Sequence, residues 1–449
     1  MSTTIAPTGV ALPRLPPELW LLIFRFATSA PIISPSEFTY HYEPFQSRHH
    51  RISTACFDAT LRVKCAIVSV CRQWHALAGD MRYEDIRIRR GIAALYAALT
   101  LTEPAPAPAA TAVGSESSTA TGTIAARHYV RRAVLPYAHA EKPSYHTPSA
   151  LALLALLPHL EVLVRPPLPM PGPSRRQRRV RVPIPIPTTP TAAPALPTLR
   201  RLEWAFEGRD LKAHTSGIDF LIDILAAAPS LHELVLIGPI PYNAPVSLRK
   251  DRLHLPALRT LRLHDGAGTC PRVAEQTTYW ELPSLETVVV EGHGNAQWLG
   301  AIWQKFGGQV RRLELELGGG WRGGASIGDV SKIVAACPAL EELNLRVVVE
   351  DSTDWSPMHP DDVAWSCTHN TLQRIGICIH DVDDECCSAV TWMKVVEFTG
   401  KFVKGCPALH QVVLYVEDVE VALQNSRFHE FRETLSSSGR ELLLHSVHA

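Results

Sequence analysis

The chain has 449 residues, 44 Lys+Arg against 44 Asp+Glu, 46% hydrophobic residues and 36 prolines. That length predicts two to three domain-sized units or one elongated repeat body, with enough apolar residues for a sizeable core. A formal net charge of zero argues against a large electrostatic footprint for nucleic acid or an anionic membrane, so neither is expected as a partner.

Residues 1–11 lack a basic stretch followed by an apolar run, so they read as a disordered N-terminus rather than a secretory signal. The first predicted helix follows, from Leu15 to Ala27 (LPPELWLLIFRFA). Prolines at its first positions and Glu18 in its first turn suit a helix start. From Leu19 to Ala27 only Arg25 is charged, so this helix is apolar on every side and must be buried all round. One short neighbouring helix cannot cover every face, and part of the cover is expected from another chain. That neighbour is predicted over Cys65–Ala78, where Ile67, Val70, Trp74 and Leu77 share one face at helical spacing. Ile86 and Ile88 then alternate with Arg87 and Arg89, as a strand start does.

These two helical segments resemble the F-box. Its pattern opens with Leu-Pro-x-Glu-Leu and an apolar helix and closes with a Val-Cys-x-x-Trp helix. The matches are Leu15, Pro16, Glu18, Leu19, Ile23 and Phe24, then Val70, Cys71, Arg72, Trp74 and Leu77. The departure is residues 31–61, an insertion that a typical F-box lacks. The resemblance implies an F-box-like helical domain over 12–80, docked on a Skp-type adaptor and through it on a cullin. It implies adaptor contacts from Leu15, Pro16, Leu19, Ile23 and Phe24, with Val70 and Trp74 packing the helices and completing the surface.

Two stretches beyond are rich in residues that cannot bury enough apolar surface to offset ordering entropy. Residues 103–126 are Pro-Ala and then Ser/Thr/Gly rich, and 166–196 carries most of a stretch, 166–197, with 11 prolines in 32 positions. Both read as disordered or polyproline-like insertions. The second includes Arg175, Arg176, Arg178, Arg179 and Arg181, which read as a solvated linker, with an import signal or anion patch as the alternative.

The rest of the chain, 81–449, repeats the template Pro-x-Leu-x-x-Leu-x-Leu. Complete copies begin at Pro197, Pro229, Pro256, Pro283, Pro338 and Pro407. Val310-Leu313-Leu315 and Leu372-Ile375-Ile377 lack the proline, and Pro158-Leu160-Leu163 is partial. Such self-similarity predicts a solenoid. In each copy the alternating Leu-x-Leu is a short strand with one face buried. Helical runs precede several strands, at Phe220–Ala227, Trp298–Phe306, Val330–Ala336 and Val395–Lys404. The proline is expected to stop the helix and extend the chain into the strand. The fold class is therefore α/β: a helical N-terminal module followed by a parallel sheet with outer helices. The units resemble irregular leucine-rich repeats of the kind found behind an F-box.

The alternation also predicts an outward sheet face. Its central positions are Glu203, Val235, Arg262, Val289, Glu314, Asn344 and Val413. Beside them stand His264, Glu291, Glu316, Arg346 and Tyr415. A face of mixed charge and apolar character suits a protein target rather than one small ligand.

Signals for chemistry are weak by comparison. The ten cysteines show no paired CxxC knuckles and read as reduced thiols of a cytoplasmic or nuclear protein. Gly318-x-Gly320-x-x-Gly323 matches a dinucleotide fingerprint, but a strand-to-helix step recurs in every repeat, so a long loop is the plainer reading. His380–Cys387 gathers possible ligands without a known metal spacing. No catalytic residue, metal or cofactor is expected. The leading expectation is a non-catalytic substrate receptor of a ubiquitin ligase that holds an unknown protein target. An interaction scaffold outside any ligase is the alternative, and a nucleotide-binding enzyme the remote one.

Overall fold

The structure is a computed structural model. It describes residues 15–28, 44–45, 49–87, 92–100, 126–135, 153–165, 195–205, 216–237, 252–264, 277–291, 300–318, 327–349, 368–381, 399–400, 403–416 and 419–446. The predicted N-terminus 1–11 and almost all of the two predicted insertions lie outside these residues. So do Gly320, Gly323, residues 382–387 and the whole Arg-rich run 175–181.

Three helices open the fold: α1 (Pro17–Thr28), α2 (His49–Val70) and α3 (Arg72–Glu84). The predicted helix over 65–78 is in fact two. Cys71 is extended at φ −159° and ψ 168°, and its Sγ accepts the Trp74 N–H at 3.4 Å, so it ends α2 and caps α3. The segment marked as an insertion is helical from His49 onward, because α2 starts there. Phe24, Ile67, Val68, Ala78 and Met81 form a small core between the three helices.

Among the described residues twelve strands follow. They are β1 (Asp85–Arg87), β2 (Arg132–Val134), β3 (Val162–Arg165), β4 (Arg201–Ala205), β5 (Glu233–Ile237) and β6 (Thr260–His264). Then come β7 (Thr287–Glu291), β8 (Arg312–Gly318), β9 (Glu342–Val349), β10 (Arg374–Asp381), β11 (Gln411–Val416) and β12 (Glu441–Ser446). All are parallel, and their order in the sheet is their order in the chain. Each repeat therefore lays one strand beside the last, a solenoid-like arrangement in which each strand's backbone pairs with its sequence neighbours.

The helices lie on one face. They include α4 (Ile92–Thr100), α5 (Ser216–Ala226), α6 (Gly300–Phe306), α7 (Ile327–Ala335), α8 (Val419–Gln424) and α9 (Ser426–Ser437). Leu225, Phe306, Val334 and Phe431 from these helices share one continuous core with Leu202, Leu234, Leu261, Leu313 and Leu343 from the strands. Between β6 and β7 Thr277 is helical, and the buried Trp280 joins the same core there. Of the helix predicted over 395–404, only 399–400 and 403–404 are described.

The repeated proline has a more specific place than helix stop. The carbonyl before it accepts the N–H of the leucine two residues after it: Leu196 from Leu199 at 3.2 Å, Leu282 from Leu285 at 3.2 Å, Cys337 from Leu340 at 3.0 Å. Proline is thus the second residue of a tight turn, where its fixed φ of about −65° is already correct. One copy without proline uses a side chain instead. The buried His369 accepts the Leu372 N–H on Nδ1 at 3.1 Å and lies 2.9 Å from the Cys337 carbonyl through Nε2.

Cys65, Cys71, Cys337, Cys378 and Cys406 are free thiols, and burial pushes Cys337 up to about 12. Among the described residues no helix is long and apolar enough to cross a membrane, and no group of three or more His, Cys, Asp or Glu could hold a metal ion.

Candidate functional site

Two surfaces carry functional potential, one on α1 and one on the sheet. Helix α1 is apolar on both sides because it does two things. Trp20, Phe24 and Thr28 point inward at a spacing of four residues. There the rings of Trp20 and Phe24 lie 4.9 Å and 4.8 Å from that of Trp74. Leu15, Leu19, Leu22, Ile23 and Phe26 form the opposite stripe, and all five are exposed, Leu22 by 64% and Phe26 by 85%. On α2, Val63 and Val70 are exposed as well, two turns apart on the same side of that helix.

This geometry sorts the expected adaptor contacts. Leu15, Pro16, Leu19 and Ile23 do face outward. Phe24 does not: it is 2% exposed and packs the helices together. Trp74 is half-buried beside it. Val70 is 60% exposed, so it belongs to the surface and not to the helix packing. Sequence reasoning missed Leu22, Phe26 and Val63. In an all-apolar helix the inner and outer stripes read alike until the partner helices are placed.

The second surface is the sheet face opposite the helices. The register holds as expected: Glu203, Val235, Arg262, Val289, Glu314 and Asn344 pair in one unbroken row, and Gly376 and Val413 continue it. Two residues further along each strand, Glu316, Arg346, Cys378 and Tyr415 pair in a parallel row, as do His264 and Glu291. At Gly376 the row closes over itself, because a Cβ there would stand 2.0 Å from Asn344 Oδ1 and 3.2 Å from the Tyr415 ring.

The expectation that this face is open is not met. Val235, Val289, Asn344 and Val413 are fully buried, and Glu203, Arg262, Glu291, Glu314, Arg346 and Tyr415 are all below a tenth exposed. His264 retains partial exposure. The physical reason is lateral pairing. Strands about 4.8 Å apart place charges of opposite sign side by side. Arg201 Nε meets Glu203 at 2.8 Å, Arg201 Nη1 meets Glu233 at 3.1 Å, and Arg262 Nε meets Glu233 at 2.9 Å. Further along, Glu291 lies 3.0 Å from His264 Nδ1 and 3.7 Å from Arg346, which also stands 3.9 Å from both Glu314 and Glu316. Charges buried to this degree are tolerated only when paired in this way.

Part of the cover is the chain's own Phe45, which is 4% exposed. Its N–H donates to Glu314 Oε2 at 3.0 Å and its carbonyl accepts from Arg346 Nη2 at 3.1 Å. Its ring lies edge-on to Tyr415 at 4.8 Å, with the Arg346 guanidinium 5.5 Å from its centre, and shares a small cluster with Cys378 and Val413. Phe45 has φ 63°, a left-handed conformation that costs a bulky residue about 1–3 kcal/mol. No local signal in the sequence points to this contact, which spans 269 residues.

Electrostatics tighten the same spot. Burial pushes the Glu314 carboxyl above its ordinary range, and Arg262, Arg346 and the Phe45 N–H pull it only part of the way back. Burial opposes the charge on Arg346, but Glu291 and Glu314 outweigh it and hold the guanidinium above its ordinary value. Tyr415 is pushed up to about 12, mainly by burial, and stays a neutral hydroxyl. In this set Glu314 and Arg346 meet the Phe45 backbone, and Tyr415 meets its ring. Set against known proteins, the chain matches no family model and no curated protein.

Proposed function

We propose that the chain is a non-catalytic substrate receptor: its N-terminal helices dock a Skp-type adaptor, and through it a cullin, and its strand face holds a protein target for ubiquitin transfer. The observation that carries this reading is the outward stripe Leu15–Leu19–Leu22–Ile23–Phe26 on α1, in a segment that resembles the F-box. An exposed apolar row at the end of a helical module implies a partner, and the motif names its kind. The receptor's contribution is proximity, which raises the effective concentration of target near the ligase.

The test is co-purification with a Skp-type adaptor. Burying a Leu or Ile side chain fully is worth about 1.5–3 kcal/mol, so Leu15→Ala, Leu19→Ala and Ile23→Ala together should weaken a complex that buries them in part by at least about 3 kcal/mol, roughly 100-fold or more. The melting temperature should stay near wild type, since these side chains are already exposed. Adaptor binding that survives the triple substitution sinks the assignment.

A further inference from the structure

We propose that the site formed by Glu314, Arg346, Tyr415, Cys378 and Val413 is a recognition pocket for an aromatic residue of a peptide segment, and that Phe45 fills it in the free chain. The target would then bind by displacing the chain's own Phe45. This inference rests on reading the strand face as the target surface; it does not depend on adaptor docking.

Three observations carry it. The pocket reads a whole residue, not only a ring: Glu314 takes the backbone N–H, Arg346 gives to the backbone carbonyl, and Tyr415 and Arg346 frame the phenyl group. Its walls come from four neighbouring strands, β8 to β11, so the site is part of the sheet and is present whatever occupies it. The occupant, by contrast, is strained at φ 63° and belongs to a part of the chain remote in sequence. A target segment that reaches the same groups with negative φ carries no such penalty and can compete. The contact is also intramolecular, so the high effective concentration of Phe45 screens out weak ligands.

The experiment uses the 449-residue chain and a fluorescein-labelled peptide with the sequence of residues 40–49 (YHYEPFQSRH). Fluorescence anisotropy should show that the Phe45→Ala chain binds this peptide at least about tenfold more tightly than wild type, because the competing segment has lost its ring. The same peptide with its phenylalanine changed to alanine should not bind. Equal binding by wild type and variant, no binding by the variant, or equal binding of the two peptides would each overturn the proposal. A second measurement needs no substitution. In the unmodified chain the Phe45 amide should be protected from hydrogen exchange, and exchange at the rate of an unstructured peptide would refute the contact. Failure of these measurements leaves adaptor co-purification untouched, and failure of co-purification leaves the peptide result standing.

Discussion

At the scale of single residues, Glu314 shows how burial and charge compete. It is an acid with its pKa raised by burial. Stability from such a group is fully present below its ordinary carboxylate pKa and is lost as pH rises through the raised folded value. Glu314→Gln keeps an oxygen to accept the Phe45 N–H but removes the titration. The melting temperature of the variant relative to wild type should therefore climb as pH is raised from about 4 to 8. A difference that is flat with pH would mean that Arg262 and Arg346 compensate the carboxylate in full. The pairing of Glu314 with Asn344 and Val289 across the sheet was legible in the alternating pattern. Its burial was not, because pattern shows which face a side chain takes and not what lies over that face.

At the scale of elements, the repeated unit is a turn and a strand. The turn explains the proline better than helix termination does: its ring sets the second residue of the turn in advance. Pro283→Ala or Pro338→Ala should each destabilise the chain by about 0.4–1 kcal/mol, chiefly by loosening the unfolded state. Because the two turns lie in separate repeats, the double variant should be additive within about 0.5 kcal/mol in urea denaturation. A much larger loss at Pro338 alone would show that the turn holds native contacts beyond its own φ. The template Pro-x-Leu-x-x-Leu-x-Leu located every strand from β4 onward except β12, and missed only the exact ends. Strand β12 escaped because its sequence, ELLLHS, follows an α9 helix without the proline turn. The boundary between α2 and α3 escaped for a different reason. Cys71 continues the helical spacing of apolar residues, and only its extended backbone and Sγ cap break the helix.

At the scale of the molecule, one buried cation joins the helical module to the sheet. Lys64 on α2 reaches Glu84 at the end of α3 at 3.0 Å and Asp85 at the start of β1 at 2.9 Å. Asp85 in turn lies 3.9 Å from Arg132 on β2. Burial works against the charge on Lys64, but the two carboxylates outweigh it and raise its pKa above 10.5. This stability is therefore present below about 10.5 and lost as pH rises beyond the raised value. Lys64→Met should cost about 2 kcal/mol near neutral pH, by removing the cation between Glu84 and Asp85. Its penalty should shrink in alkaline solution, where wild type loses the same interaction. Melting curves at pH 8 and pH 11 check this, and an unchanged penalty at both would rule out Lys64 as the titrating joint.

Composition, periodicity and repeat spacing by themselves determined the α/β class, the parallel sheet and the in–out alternation along most strands from β4 to β11. These depend on local rules: a period of two for a strand, a proline for a turn, and a repeat that can only stack on its neighbour. The tertiary structure alone decided which stripe of α1 turns outward, that Phe24 holds the helices together, and that the expected open face is closed in part by Phe45. Each of those depends on contacts between segments far apart in the chain, such as Phe45 with Glu314, and no local periodicity carries that information.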